Sequence, residues 1–223
     1  MNIGQDFKNY YTKHLGKGSL DLHYYENQIE SSMTPYILEE REMRVTQMDI
    51  FSRLMRDRLL WVAGPVDDRM STVVQAQLMF LDSSDKTDIT MHIDSPGGSV
   101  KSGLSMVDVM SYIKAPIATV NTGMAASMGS VLLGAGTKGM RSSLRFSKTM
   151  LHQSSGGALG NIQDARITMK EWEKTNEILF ELLGGYCGKT AKQVAKDAER
   201  DLWLSAEEAL KYGIIDEVIQ SKK

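Results

Sequence analysis

Along the chain, short runs rich in β-branched and aliphatic residues alternate with stretches whose apolar residues recur three or four apart. The two patterns predict strands and helices in turn, because side chains alternate across a strand and return to one helix face roughly every 3.6 residues. A helix is expected at 49–58, with Ile50, Leu54 and Leu60 roughly on one side, then a strand at 59–63 closed by Gly64-Pro65. Residues 67–81 show helical spacing at Met70, Val73, Val74 and Leu78. Further strands are expected at 88–94, 117–122 and 145–152, separated by helices near 98–113 and 127–135. Repeated β-α pairs of this kind imply an α/β fold with a mainly parallel sheet and right-handed crossovers.

The longest helical pattern covers 161–183, where Ile162, Ala165, Met169, Trp172, Leu179 and Leu183 form a stripe interrupted by Asn176. Gly184-Gly185 supplies a plausible left-handed stop. Thr190-x-x-Gln193 and Ser205-x-x-Glu208 have the form of capping boxes, so helices are expected to begin just after Thr190 and Ser205. A terminal strand is expected at 214–219, and Asp201 then falls on a connector between two helices. Residues 1–31 are polar with weak periodicity and read as a flexible arm or removable propeptide, leaving 32–223 as a single domain.

The 223 residues suffice for a full core, and a formal net charge of −2 without basic blocks gives no footprint for nucleic acid. No apolar stretch approaches the roughly 20 residues needed to span a membrane, and the N-terminus lacks an apolar signal core. The single cysteine, Cys187, excludes an intramolecular disulfide and fits a reducing, cytoplasmic setting. It follows an apolar helix end and reads as a small buried hydrophobe, not a nucleophile. Neither metal-ligand spacing nor a P-loop is present, so the expectation is a chain without a metal or cofactor of its own. Of the fifteen methionines, Met70, Met79, Met106, Met110 and Met140 are expected to fill interior gaps.

Candidate chemistry begins at Gly123-Met124-Ala125-Ala126-Ser127-Met128-Gly129. A strand turning straight into a helix sets Ser127 at the helix N-terminus, where unpaired N–H groups and the helix dipole favour developing negative charge. That is the setting an acyl-transfer nucleophile needs, although small residues also serve simple close packing. Ser95-Pro96-Gly97-Gly98 follows an earlier strand and lets backbone N–H groups approach a ligand, which suggests a second oxyanion donor beside that of Met128. Of the four histidines, His14 and His23 sit in the polar N-terminal stretch and His92 lies within a strand. His152 ends a strand and precedes the flexible patch Ser154-Ser155-Gly156-Gly157, which suits a site residue. A serine hydroxyl needs an imidazole to take its proton, and the imidazole needs an acid to fix its tautomer; Asp201 is the candidate.

The set Ser-Pro-Gly-Gly (95–98), Gly-x-Ala-Ala-Ser-Met-Gly (123–129), Met-Leu-His-Gln-x-x-Gly-Gly (150–157) and Glu-Arg-Asp-x-x-Leu-Ser-Ala-x-Glu-Ala (199–209) resembles the Clp protease proteolytic subunit family. The separations from Gly97 to Ser127, Ser127 to His152 and His152 to Asp201 are 30, 25 and 49 residues, also similar to the family's. The likeness runs from about Met33 to Val218. It implies the ClpP/crotonase-like fold and a serine endopeptidase with Ser127 as nucleophile, His152 as base and Asp201 as orienting acid. Gly98 and Met128 would donate the oxyanion N–H groups. It further implies a homo-oligomer of two stacked seven-membered rings, and a protruding handle helix at 161–183 that meshes with an opposing ring. Unfolded polypeptides would be the substrates, delivered by a Clp-type ATPase that itself uses the ATP. Trp61, Met91 and Tyr112 would line apolar pockets for loops of that ATPase, and Glu199-Arg200 would link ring contact to the position of Asp201. Two departures stand out: Ser154 replaces the family's usual proline, and Met43-Arg44-Val45-Thr46 replaces its Arg-Gly-Glu-Arg. The rival readings are a crotonase-like acyl-CoA hydratase or isomerase, a non-catalytic ring subunit, and a membrane-bound peptidase with a Ser-Lys pair.

Overall fold

The computed structural model describes residues 36–41, 44–155 and 161–220, with side chains from Met48 onward. The expected arm at 1–31, with His14 and His23, and the Gly156-Gly157 of the expected flexible patch lie outside the described residues. The chain divides into two compact units, 1–56 and 57–223. In the first, β1 (Tyr36–Arg41) pairs antiparallel with β2 (Arg44–Asp49), and α1 (Ile50–Arg56) follows. The Asp49 carboxylate accepts from the N–H groups of Phe51 and Ser52, each at 3.0 Å, and so caps α1. The hairpin was not expected; its segments carry charges at too many positions for a clear alternation.

The second unit is a seven-stranded sheet with helices packed on it. Its elements are β3 (Leu59–Ala63), α2 (Asp68–Ser84), β4 (Ile89–Ser95), α3 (Val100–Tyr112), β5 (Ile117–Ala126) and α4 (Met128–Gly134). There follow β6 (Arg141–Leu144), β7 (Lys148–Leu151), α5 (Ile162–Cys187), α6 (Ala191–Asp197), β8 (Leu202–Ser205), α7 (Ala206–Tyr212) and β9 (Glu217–Ile219). The main path is β3-β4-β5-β6-β9, all parallel, while β7 pairs parallel with the upper half of β5 and antiparallel with β8. The expected α/β class with a mainly parallel sheet is therefore the one observed. Leu60, Val62, Ile89, Met91, Ile93, Met106, Leu132 and Leu133 form its buried centre.

Several expected boundaries differ. The strand at 117–122 continues through Gly123 to Ala126, since β7 pairs with its last three residues. The strand expected at 145–152 is shorter, β7 at 148–151, because a turn in which Phe146 is exposed precedes it, and β6 at 141–144 was not expected. Of the expected face of α2, Val74 and Leu78 are buried and Met70 is half-buried, but Val73 is not. Ser71 and Leu81 are buried as well, whereas Met79 is exposed. Ser71 is tolerated inside because its hydroxyl meets Ser102 O at 2.8 Å and Ser105 Oγ at 2.9 Å. Both capping boxes are present as expected, with Thr190 and Gln193, and Ser205 and Glu208, satisfying each other's backbone N–H groups. The stop at Gly184-Gly185 is not: α5 runs on to Cys187 and ends at Gly188, whose φ of 67° is left-handed. Gly184 serves close packing instead, since a Cβ there would lie 2.8 Å from Lys189 O. From Ile162 to Ile178, α5 has no buried residue; Leu179, Leu183 and Gly184 are the residues that enter the core. That exposure suits a helix standing off the body better than an ordinary core helix.

Candidate active site

Three neighbouring strands bring Ser127, His152 and Asp201 together. Ala126 pairs with Met150 across β5 and β7, and Leu151 pairs with Leu202 across β7 and β8. The next residue along β5 is Ser127, the next along β7 is His152, and the one preceding β8 is Asp201. Parallel pairing on one side and antiparallel on the other thus sets three residues distant in sequence side by side. The Ser127 N–H donates to Met150 O at 2.9 Å, fixing that register at its end.

His152 Nε2 lies 2.9 Å from Ser127 Oγ, and His152 Nδ1 lies 3.2 Å from Asp201 Oδ1. The histidine side chain is mostly covered, 27% exposed, while that of Asp201 is 60% exposed. Asp201 therefore faces solvent in the single chain, where its effect on the imidazole is more one of orientation than of unscreened charge. Ser127 itself has φ 52° and ψ −122°, an uncommon conformation for a residue other than glycine, at the N-cap of α4. A sharp strand-to-helix turn of this kind lifts a hydroxyl clear of the sheet. The first N–H groups of α4, beginning at Met128, have no partner within the helix by construction.

The diglycine turn backs onto this corner. Gly97 has φ 89°, and a Cβ built there would sit 2.6 Å from Ser127 Cβ and 2.8 Å from Met128 N. Gly98, at φ 151°, is pinned by a bridge to Val66, whose carbonyl would be 2.3 Å from an added Cβ. Gly97 is a residue whose role the motif concealed, because the oxyanion argument singles out its neighbour. Gly97→Ala is expected to displace Ser127 and Met128 and cost on the order of 100-fold in turnover. Steady-state hydrolysis of a fluorogenic peptide measures this, and an unchanged kcat would contradict the packing argument.

Other sequence candidates fall elsewhere. His92 stacks on Trp61 with ring centroids 4.8 Å apart, its Nδ1 is buried without a partner, and burial lowers its pKa. It has no part in the serine corner. Met91 is fully buried, which removes it from any surface pocket; Trp61 and Tyr112 are exposed. Met140 is half-buried, Met106 and Met110 are buried, and Met79 is not. Burial pushes the Cys187 thiol up to about 11, in keeping with an inert small hydrophobe. Glu199 and Arg200 are exposed, with Glu199 O 3.5 Å from Gln153 Nε2. Among the described residues, no group of His, Cys, Asp and Glu could hold a metal ion, and no helix is long and apolar enough to cross a membrane.

A parallel α/β sheet carrying a Ser-His-Asp chain at its strand ends is the framework of a serine-type hydrolase. The family model for Clp protease matches residues 40–222. An ATP-dependent Clp protease proteolytic subunit of Bacteroides fragilis (strain YCH46) is 46% identical over 218 residues, 97% of this chain and 99% of its own length. Proteins of the same name from Porphyromonas gingivalis (strain ATCC BAA-308 / W83) and Streptococcus pyogenes serotype M1 are 44% and 46% identical, covering 98% and 86% of this chain. The chain belongs to the Clp protease family and is a peptidase. The first two alignments reach further toward the N-terminus than the likeness visible in the motifs.

Proposed function

We propose that Ser127 is the nucleophile, His152 the general base and Asp201 the orienting acid of an endopeptidase acting on unfolded polypeptides. The hydrogen-bonded chain through these three residues carries the reading. His152 Nε2 takes the Ser127 proton as Oγ attacks the scissile carbonyl, and Asp201 holds Nδ1–H and stabilises the imidazolium. The N–H groups of Gly98 and Met128 receive the oxyanion, an effect worth about 2.7–4 kcal/mol for one such donor. Their support is the contact of the Gly97-Gly98 turn with the Ser127 corner. His152 then protonates the leaving amine, and water, activated by the same imidazole, releases the acyl group.

The relatives are named as proteolytic subunits of an ATP-dependent Clp protease. By that likeness this chain works in the cytoplasm as two stacked seven-membered rings of identical subunits, fed by a Clp-type ATPase. The exposed stripe of α5 suits ring–ring contact, and exposed Trp61 and Tyr112 suit the ATPase loops. Neither acyl-CoA chemistry nor a non-catalytic ring role has an observation in its favour, and the rival membrane peptidase lacks a spanning helix among the described residues. Native mass measurement of the purified chain, combined with hydrolysis of an unstructured casein, tests the proposal. A fourteen-subunit particle that degrades casein only with an added Clp ATPase is expected. A monomer without peptidase activity would contradict it.

A further inference from the structure

The stripe of α5 has one polar interruption, and the structure gives that residue a task. Asn176 is half-buried, and its Oδ1 accepts from the Ser154 N–H at 2.9 Å, across 22 residues of sequence. The donor is a backbone N–H, so the amide atom facing it must be the oxygen. Ser154 is the second residue after His152. The ladder of β7 with β8 ends at Leu151, so residues 152–155 have no strand pairing to hold them. Ser154 also borders the small cavity, about 20 Å³, that Ser127 and His152 line, and a larger one of about 530 Å³ bounded by Leu104, Trp172 and Thr175. A displacement of this loop would therefore be felt at the imidazole first.

We infer that Asn176 is a positioning residue of the catalytic site, its amide oxygen clamping the loop after His152 so that the imidazole stays seated on Ser127. This rests on the roles proposed for Ser127 and His152. Asn is a weaker helix former than leucine and gives up apolar contact in the stripe. A residue that breaks a local rule in this way is expected where function needs it.

The test compares Asn176→Leu, Asn176→Ala and Asn176→Asp in the full-length assembled protein, alongside Ser127→Ala. Readouts are kcat and KM on a short fluorogenic peptide, the rate of Ser127 labelling by a fluorophosphonate, thermal midpoint and particle mass. Losing one such hydrogen bond is expected to lower kcat by about threefold to tenfold in the Leu and Ala variants, with KM moving less than about twofold. The labelling rate should fall by the same factor. The Asp variant, which keeps an acceptor of the same length, should retain kcat within about twofold. The Leu variant should melt no lower than the parent, an outcome that a purely structural role does not give when activity is lost. Unchanged kcat in the Leu and Ala variants would overturn the inference, as would an Asp variant as impaired as the Leu one. If Leu disturbs folding or assembly, the Ala variant alone decides. Full hydrolysis by Ser127→Ala would instead overturn the reading of the site, and the inference with it.

Discussion

Ser127→Ala is expected to lower peptide hydrolysis by on the order of 10⁶-fold while the particle still assembles. The size follows from what Ser127 Oγ does: it is the atom that His152 Nε2 addresses at 2.9 Å, and no other hydroxyl has that contact among the hydrogen bonds of the described residues. What survives would be the contribution of the Gly98 and Met128 N–H groups acting on a water attack. Folding should be nearly untouched, because the fold depends on the Ser127 backbone. Its N–H bonds to Met150 O, and its carbonyl accepts from Ser130 N and Oγ at 3.0 and 2.7 Å. Alanine keeps all three. Asp201→Asn should cost less than the serine change, because the imidazole remains beside Ser127 but can settle in the wrong tautomer. Single-turnover assays on the assembled variants measure both, and equal losses for Asp201→Asn and Ser127→Ala would count against the division of roles.

The largest stability effect is expected at Asp216. Its carboxylate meets Arg141 twice, at 2.8 Å from Nε and 2.6 Å from an η nitrogen, and accepts from the N–H groups of Gly139 and Arg141. Arg141 is 1% exposed and donates onward to Tyr186 O at 3.0 Å and Gly213 O at 3.1 Å. One buried guanidinium thus ties β6 to the ends of α5 and α7 and to the approach to β9. Asp216→Ala leaves that charge buried without its counter-ion, a change that typically costs about 3–5 kcal/mol. Against a usual total of about 5–15 kcal/mol, denaturation should shift markedly. The Arg141 hydrogen bonds hold the Asp216 carboxyl well below its ordinary value of 3.8. A depressed carboxylate contributes stability that is complete above the unfolded value and lost as pH falls toward the folded one. The gap between parent and variant should therefore narrow in acid. Urea titrations at neutral and acidic pH measure this; a gap that stays constant would contradict the assignment.

Much of the site was legible because its chemistry is local. Small residues around Ser127, glycines after β4 and a histidine at a strand end are features that a short window holds. The pairing that joins them was not, since a register is a relation between distant segments. β8 escaped notice because Leu202-Trp203-Leu204 is too short to declare a strand except by lying against β7. The β6–β7 break carries no glycine or proline; it is held by Ser147, whose hydroxyl donates to Asn121 O at 3.0 Å. The face of α2 was read only in part, at Val74 and Leu78, because Ser71 is buried through hydrogen bonds that apolar spacing does not register. Arg141 gave no sign at all, for a buried arginine reads in sequence like an exposed one. Asn176 was visible as an interruption, yet its purpose depended on a loop 22 residues upstream.

The most direct measurement is peptide mapping after reaction with a fluorophosphonate, run on the parent, His152→Ala and Asp201→Ala. A single adduct on Ser127, formed far more slowly when His152 is gone and more slowly when Asp201 is gone, is the predicted result. An adduct on another serine, or labelling of Ser127 at the parent's rate without His152, would contradict the account.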